Sequence, residues 1–160
     1  MGNRAVLNFE GSDTGIYLHW NGGRASIEAF LAAANDLELR TDDYGIARLA
    51  QAIGNWFGGT LSIGVGSLSR LDRDNGDNGE YVIKGWKIIG RNYFEGSEEV
   101  DAEKTSTIRK EVVSATLRVD ALKTLLDEFP GLINGESDVC GSDLVNRATE
   151  LFHEPQSTGV

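Results

Sequence analysis

The sequence predicts an α+β fold: a single domain with a small, mostly antiparallel β-sheet packed by two to three helices. Three observations predict it. The chain has 160 residues, close to the commonest size for one domain. Runs rich in β-branched and aromatic residues open the chain and return between residues 60 and 89. Between and after them, apolar residues recur at helical spacing.

The elements follow in order. Ala5-Val6-Leu7-Asn8-Phe9 and Ile16-Tyr17-Leu18-His19-Trp20 flank a Gly/Asp/Ser turn, a hairpin signal, and Asn21-Gly22-Gly23 stops the second strand. Ile27, Phe30, Leu31 and Ala34 fall at i, i+3, i+4 and i+7, which predicts a helix with Ser26 placed to cap it. Thr41, Asp42 and Asp43 supply caps and N-terminal negative charge for a second helix. Its apolar stripe of Ile46, Leu49, Ala50, Ile53, Trp56 and Phe57 ends at Gly58-Gly59.

The segment Thr60–Val65 then alternates as a strand, with Leu61, Ile63 and Val65 on one face. Tyr81–Lys84 and Trp86–Ile89 are two more strands split by Gly85, and glycines in such patterns suggest bulges or close backbone approach. Glu95 to Lys104 is an acidic loop. Two readings stand for residues 105–129. Ile108, Val112, Ala115, Val119, Leu122, Leu126 and Phe129 describe one long amphipathic helix. Val113, Ala115, Leu117 and Val119 also alternate as a strand, with Asp120 able to cap a shorter helix. Pro130-Gly131 ends either version, and Asp143 to Phe152 reads as a last short helix after Val139-Cys140-Gly141. The organisation expected is a core over 1–96, an acidic extension over 97–155 packed on it, and a frayed tail over 156–160.

Composition narrows the class. At 40% hydrophobic and 25% charged the chain is globular in type, and no stretch approaches the roughly 18 apolar residues of a membrane helix. The first residues lack signal-peptide architecture, and Val6 breaks the myristoylation pattern that Gly2 would begin. A lone cysteine, Cys140, allows no internal disulfide, so a cytoplasmic setting fits. The net charge of −10 is uneven: residues 1–94 carry nine basic and eleven acidic side chains, residues 95–160 six and fourteen. This surface argues against direct nucleic-acid binding, which needs cations for the phosphates, and suits either plain solvation or a partner with a basic surface.

Few residues point to chemistry. Asp72, Asp74 and Asp77, with Asn75 and Asn78, could gather around calcium or magnesium, which take oxygen ligands. The spacing is not that of an EF-hand, whose sixth and twelfth positions would here be Asp77 and Ile83. The plainer reading is a connection between strands, since Asn-Gly pairs favour tight turns. His19, at a strand end beside an aromatic and a glycine turn, is the candidate general base or ligand, against the commoner outcome of a histidine bonded to backbone. His153, near the chain end, is a poorer one. No hydrolase elbow, Walker loop or dinucleotide fingerprint is present. Cys140 reads as a buried inert thiol, and Trp20, Trp56 and Trp86 as core or core-edge residues; one of them exposed beside Tyr81 or Tyr93 would mark a binding patch. The stripe of a long helix could also pair with its own copy in a homodimer.

Asn3-Arg4-Ala5-Val6, Ile16–Gly23, Gly54-Asn55-Trp56-Phe57-Gly58-Gly59 and Leu71–Gly79 together resemble a family of short proteins carried by phages, prophages and other mobile elements, over about residues 1–96. The family implies no settled activity, so no catalytic residue is carried over. It implies a setting in which small acidic proteins bind and block host proteins, including nucleic-acid-binding defence complexes. The expectation is therefore a non-enzymatic, anti-CRISPR-like inhibitor that meets its partner through Glu95, Glu98, Glu99, Asp101 and Glu103. The alternative is a small metal- or nucleotide-binding module, possibly an enzyme, using His19 and the Asp72–Asp77 loop.

Overall fold

The computed structural model describes residues 2–57, 63–98, 100–130 and 140–153. Its first compact unit, Met1–Ala115, contains one five-stranded sheet of order β3-β2-β1-β4-β5. The strands are β1 Ala5–Phe9, β2 Thr14–Leu18, β3 Ile63–Ser67, β4 Glu80–Lys84 and β5 Lys87–Asn92. Three of the four pairings are antiparallel, and the parallel one sets Val6 opposite Glu80 in β1 and β4. The α+β class and mostly antiparallel sheet read from the sequence are those of the structure. Residues 60–62 of the third predicted strand lie outside the described residues.

Helices α1 (Arg24–Asp36) and α2 (Asp43–Phe57) connect β2 to β3 and cover one face of the sheet. Strand alternation sends Ala5, Leu7, Phe9, Ile16, Leu18, Tyr81 and Ile83 into that face. There they meet Ile27, Phe30, Ile46, Leu49 and Ile53 of the helices, all buried. The start of α3 (Ala102–Glu128) adds Ile108 and Val112 to the same core. Burying a side chain such as Phe30 or Leu49 contributes roughly 1.5–3 kcal/mol, so this cluster holds the unit together.

Asp42 caps α2, its Oδ1 accepting the Gly45 N–H at 3.2 Å. The cap expected for α1 is corrected. That helix starts earlier, after Gly23, which offers no side-chain bond, and Ser26 is buried in its first turn. Residues 105–128 lie in helix α3, the first of the two readings; the helix begins at Ala102, inside the segment expected as an acidic loop. No glycine or proline interrupts it, and the period of four and three residues outlasts the short strand-like alternation.

The opposite face of the sheet carries no α-helix among the described residues of this unit, only a 3-10 turn at Leu68–Arg70. The connection from β3 to β4 crosses it instead. A Cβ on Gly15 would lie 2.5 Å from Leu68 and 2.9 Å from Leu71, so the glycine in β2 is what lets that segment lie flat on the sheet. Val6 is fully buried although it points away from the helices.

The second compact unit, Thr116–Val160, contains the rest of α3 and α4 (Gly141–His153). Arg147 of α4 forks onto Glu128 of α3, donating from Nε and Nη2 at 2.8 Å each. The expected frayed tail, 156–160, lies outside the described residues. No described helix is long and apolar enough to cross a membrane.

Candidate functional site

The Leu71–Gly79 segment is laced from within and clamped from outside. The buried Asn75 amide donates to the carbonyls of Asp72 and Gly79 and accepts the N–H groups of Asp77 and Gly79, all at 3.0–3.1 Å. That uses its full hydrogen-bonding capacity. Asp77 Oδ2 accepts from Arg4 Nε at 2.6 Å and from the Arg4 backbone N–H at 3.1 Å. The Arg4 side chain, followed by its backbone N–H, holds the Asp77 carboxyl below the usual carboxylate range. Arg91 donates to the Asn78 carbonyl from Nε at 3.0 Å and Nη2 at 2.8 Å.

Glu80, fully buried at the start of β4, completes the clamp. Arg73 forks onto it at 2.9 and 2.8 Å, Asn8 donates at 2.7 Å and Asn92 at 2.9 Å. Burial pushes its carboxyl up, and the bonds from Arg73, Asn92 and Asn8 outweigh it, so the group titrates below the ordinary glutamate value. Asp72 and Asp74 are exposed on the outside of the loop. Among the described residues no group of three His, Cys, Asp or Glu side chains is placed to hold a metal ion.

His19 lies just past β2, its Nδ1 3.2 Å from the Tyr17 hydroxyl and its ring edge-on to Trp20. Tyr17 and His19 share a face, as alternation requires. Trp20 departs from the expected core or core-edge position and is 46% exposed. The reason is the strand's early end. Asn21 takes a left-handed turn at φ 58°, while Asn3 and Gly22 exchange backbone bonds with this stretch at 2.8–3.2 Å. A Cβ on Gly22 would come within 2.7 Å of Asn3 and Arg4, so only glycine fits there. Trp86 is buried and donates to the Leu39 carbonyl at 3.0 Å; Trp56 packs at the core edge with Nε1 on Glu111 at 2.9 Å. Cys140, expected buried, is exposed. Bonds from Ser142 and the Asp143 N–H lower its thiol pKa. For His153 only the backbone, at the end of α4, is described.

The acidic stretch after β5 is held at both ends. Arg91 places its guanidinium 4.1 Å from the Tyr81 ring centre and 3.6 Å from that of Phe94, and pairs with Glu98. Asp101 Oδ1 accepts the Lys104 N–H at 2.9 Å and so caps α3. Glu95, Val100 and Glu103 stand exposed around these anchors, with Tyr93 half exposed beside them. Of the five predicted contact carboxylates, Glu95 and Glu103 are displayed, Glu98 and Asp101 serve the fold, and Glu99 lies outside the described residues. Sequence reading missed Arg91 and Glu80. A charged residue at an alternating position of an apolar strand, as in Glu80-Tyr81-Val82-Ile83, is the signal that marks a buried ion pair.

The groove between α1 and the start of β5 has a volume of about 260 Å³, with the Arg24–Glu28 ion pair on one wall and Lys87 and Ile88 on the other. That is below the usual 300–1,000 Å³ of small-molecule sites. Compared with known protein families, curated proteins and solved structures, the chain matches none.

Proposed function

We propose that this is a non-catalytic binding protein of a mobile element that inhibits a host protein, an anti-CRISPR-like blocker of a nucleic-acid-binding defence complex. The observation that carries the reading is the anchored ridge after β5. Exposed carboxylates of Glu95 and Glu103 stand beside exposed Val100 and Tyr93 on a segment pinned by the Arg91–Glu98 pair and the Asp101 cap. A pinned segment loses little conformational freedom on binding, and its charge complements a basic surface shaped for phosphates. The setting comes from the family resemblance over residues 1–96.

The test is a tagged pull-down from host lysate at low and high salt, followed by affinity measurement with the protein recovered. Glu95→Lys with Glu103→Lys is expected to weaken binding about tenfold or more, mostly through the association rate. Binding indifferent to both substitutions and to salt sinks the acidic mechanism.

A further inference from the structure

The two outer strands of the sheet are built differently. β5 carries Lys87 and Arg91, follows Lys84, and has a bulge at Ile89 where Val82 pairs with Gly90 but Ile83 with Ile88. Charges and bulges are how sheets prevent edge-to-edge pairing. β3, Ile63-Gly64-Val65-Gly66-Ser67, has no charge, no proline and no bulge in its register with β2. Among the described residues no strand pairs with its outer side. Val65 lies opposite Ile16, on the face the helices cover, yet is 54% exposed.

We infer that the free side of β3 is a self-association surface, and that its occupant is β3 of a second copy, antiparallel about a two-fold axis at Val65. The sequence is suited to its own reverse. Such a pairing sets Val65 against Val65, Gly64 against Gly66 and Ile63 against Ser67, with no like charges opposed. On the helix-free face Gly66 leaves the approach open, since nothing lies within 4 Å of a Cβ placed there, and a Cβ on Gly64 would meet only the Tyr17 side chain of its own sheet, at 3.5 Å. The same operation on β5 would bring Lys87 and Arg91 close to their copies, and the bulge would break the ladder. The assembly therefore closes at two copies, with one ten-stranded sheet.

The mass of the purified chain is measured by light scattering and sedimentation up to about 100 µM, a range that covers weak homodimers. The expected result is twice 17.3 kDa. Val65→Lys returns the chain to monomer, whereas Ile89→Lys on the other edge does not. In a Cys140→Ser background, Val65→Cys is expected to form an interchain disulfide about a hundredfold faster than Ile89→Cys, because opposed Cα atoms of an antiparallel pair lie within disulfide reach. The cysteine is conservative enough to keep the proposal testable if the lysine variant is unstable. A monomer throughout the range, a mass above the dimer, a dimer that survives Val65→Lys, or equal cross-linking at both edges each overturns it. None of these readouts involves a host partner, so they stand or fall apart from the proposed function.

Discussion

Two acidic loops flank the β4–β5 hairpin, and each divides its carboxylates between the fold and solvent, with different anchors. Before it, Asp72–Gly79 commits one acid to the fold, Asp77 on Arg4, and sends its own Arg73 to buried Glu80, while Asp72 and Asp74 stay exposed. After it, Glu95–Glu103 keeps two acids for the fold, Glu98 and Asp101, and displays Glu95 and Glu103. The difference lies in the supply of cations. Arg4, Arg73 and Arg91 converge on the first loop, while the stretch from Glu95 to Asp101 holds four acids, has no base of its own and shares Arg91 through Glu98. Density of carboxylates in a sequence thus says little about a site until their partners are known.

Substitutions should separate the two loops by size of effect. The largest is expected for Glu80→Ala, which leaves Arg73, Asn8 and Asn92 facing an empty buried position. Breaking a buried pair costs about 3 kcal/mol or more, and half-exposed Arg73 keeps the effect near that lower bound; the urea midpoint reads it. A destabilisation near zero would show that the clamp on the first loop is decorative. Next comes acid sensitivity. The Asp77 carboxyl is held low by Arg4, so its contribution is complete above the unfolded pKa of about 4 and is lost as pH falls through the lower folded value. Asp77→Asn should therefore melt lower at pH 7 and lose less on going to acid than the parent chain, as thermal scans across that window will show.

In the second loop, Asp101→Ala removes a helix cap and should cost about 1 kcal/mol, visible as a lower melting temperature. The smallest stability effect belongs to Glu95→Lys, within about 0.5 kcal/mol of the parent, even though the same change is expected to cost partner affinity. If it destabilises as much as Asp101→Ala, Glu95 belongs to the fold and the contrast between the loops is lost. Calcium or magnesium sharpens the comparison from the other side. With Asp77 engaged by Arg4, millimolar metal should leave the melting temperature of the chain unchanged, and a rise abolished by Asp74→Ala would restore the metal reading.

Much of the fold was legible because it rests on local periodicity. The stripe from Ile46 to Phe57 and the alternation in Ala5–Phe9 need only near neighbours to be understood. The readings that changed depend on distant residues. Trp20 leaves the core because Asn3 bonds to the chain just before it and ends the strand. Asp77 is engaged because the sheet topology brings Arg4 beside it, and no spacing rule encodes that meeting. The ridge after β5 was legible as charge, but which acids it displays was not, since Arg91 and the start of α3 decide that.

The placement of β1 has a consequence for how the protein is made. Of the sheet's five strands the one made first is the central one, and Arg4 and Asp77, which tie its start to the loop before β4, lie 73 positions apart. At synthesis rates of about 5–20 residues per second, the nascent chain holds β1 for roughly 4–15 seconds before its parallel partner exists. During that interval β1 can pair only with β2, and its other side is an open strand edge beside a growing polypeptide. Contacts of such long sequence separation also slow folding itself. The closing of the sheet by β4, fastened by Arg4 on Asp77 and Arg73 on Glu80, has to wait for that stretch of chain to be made.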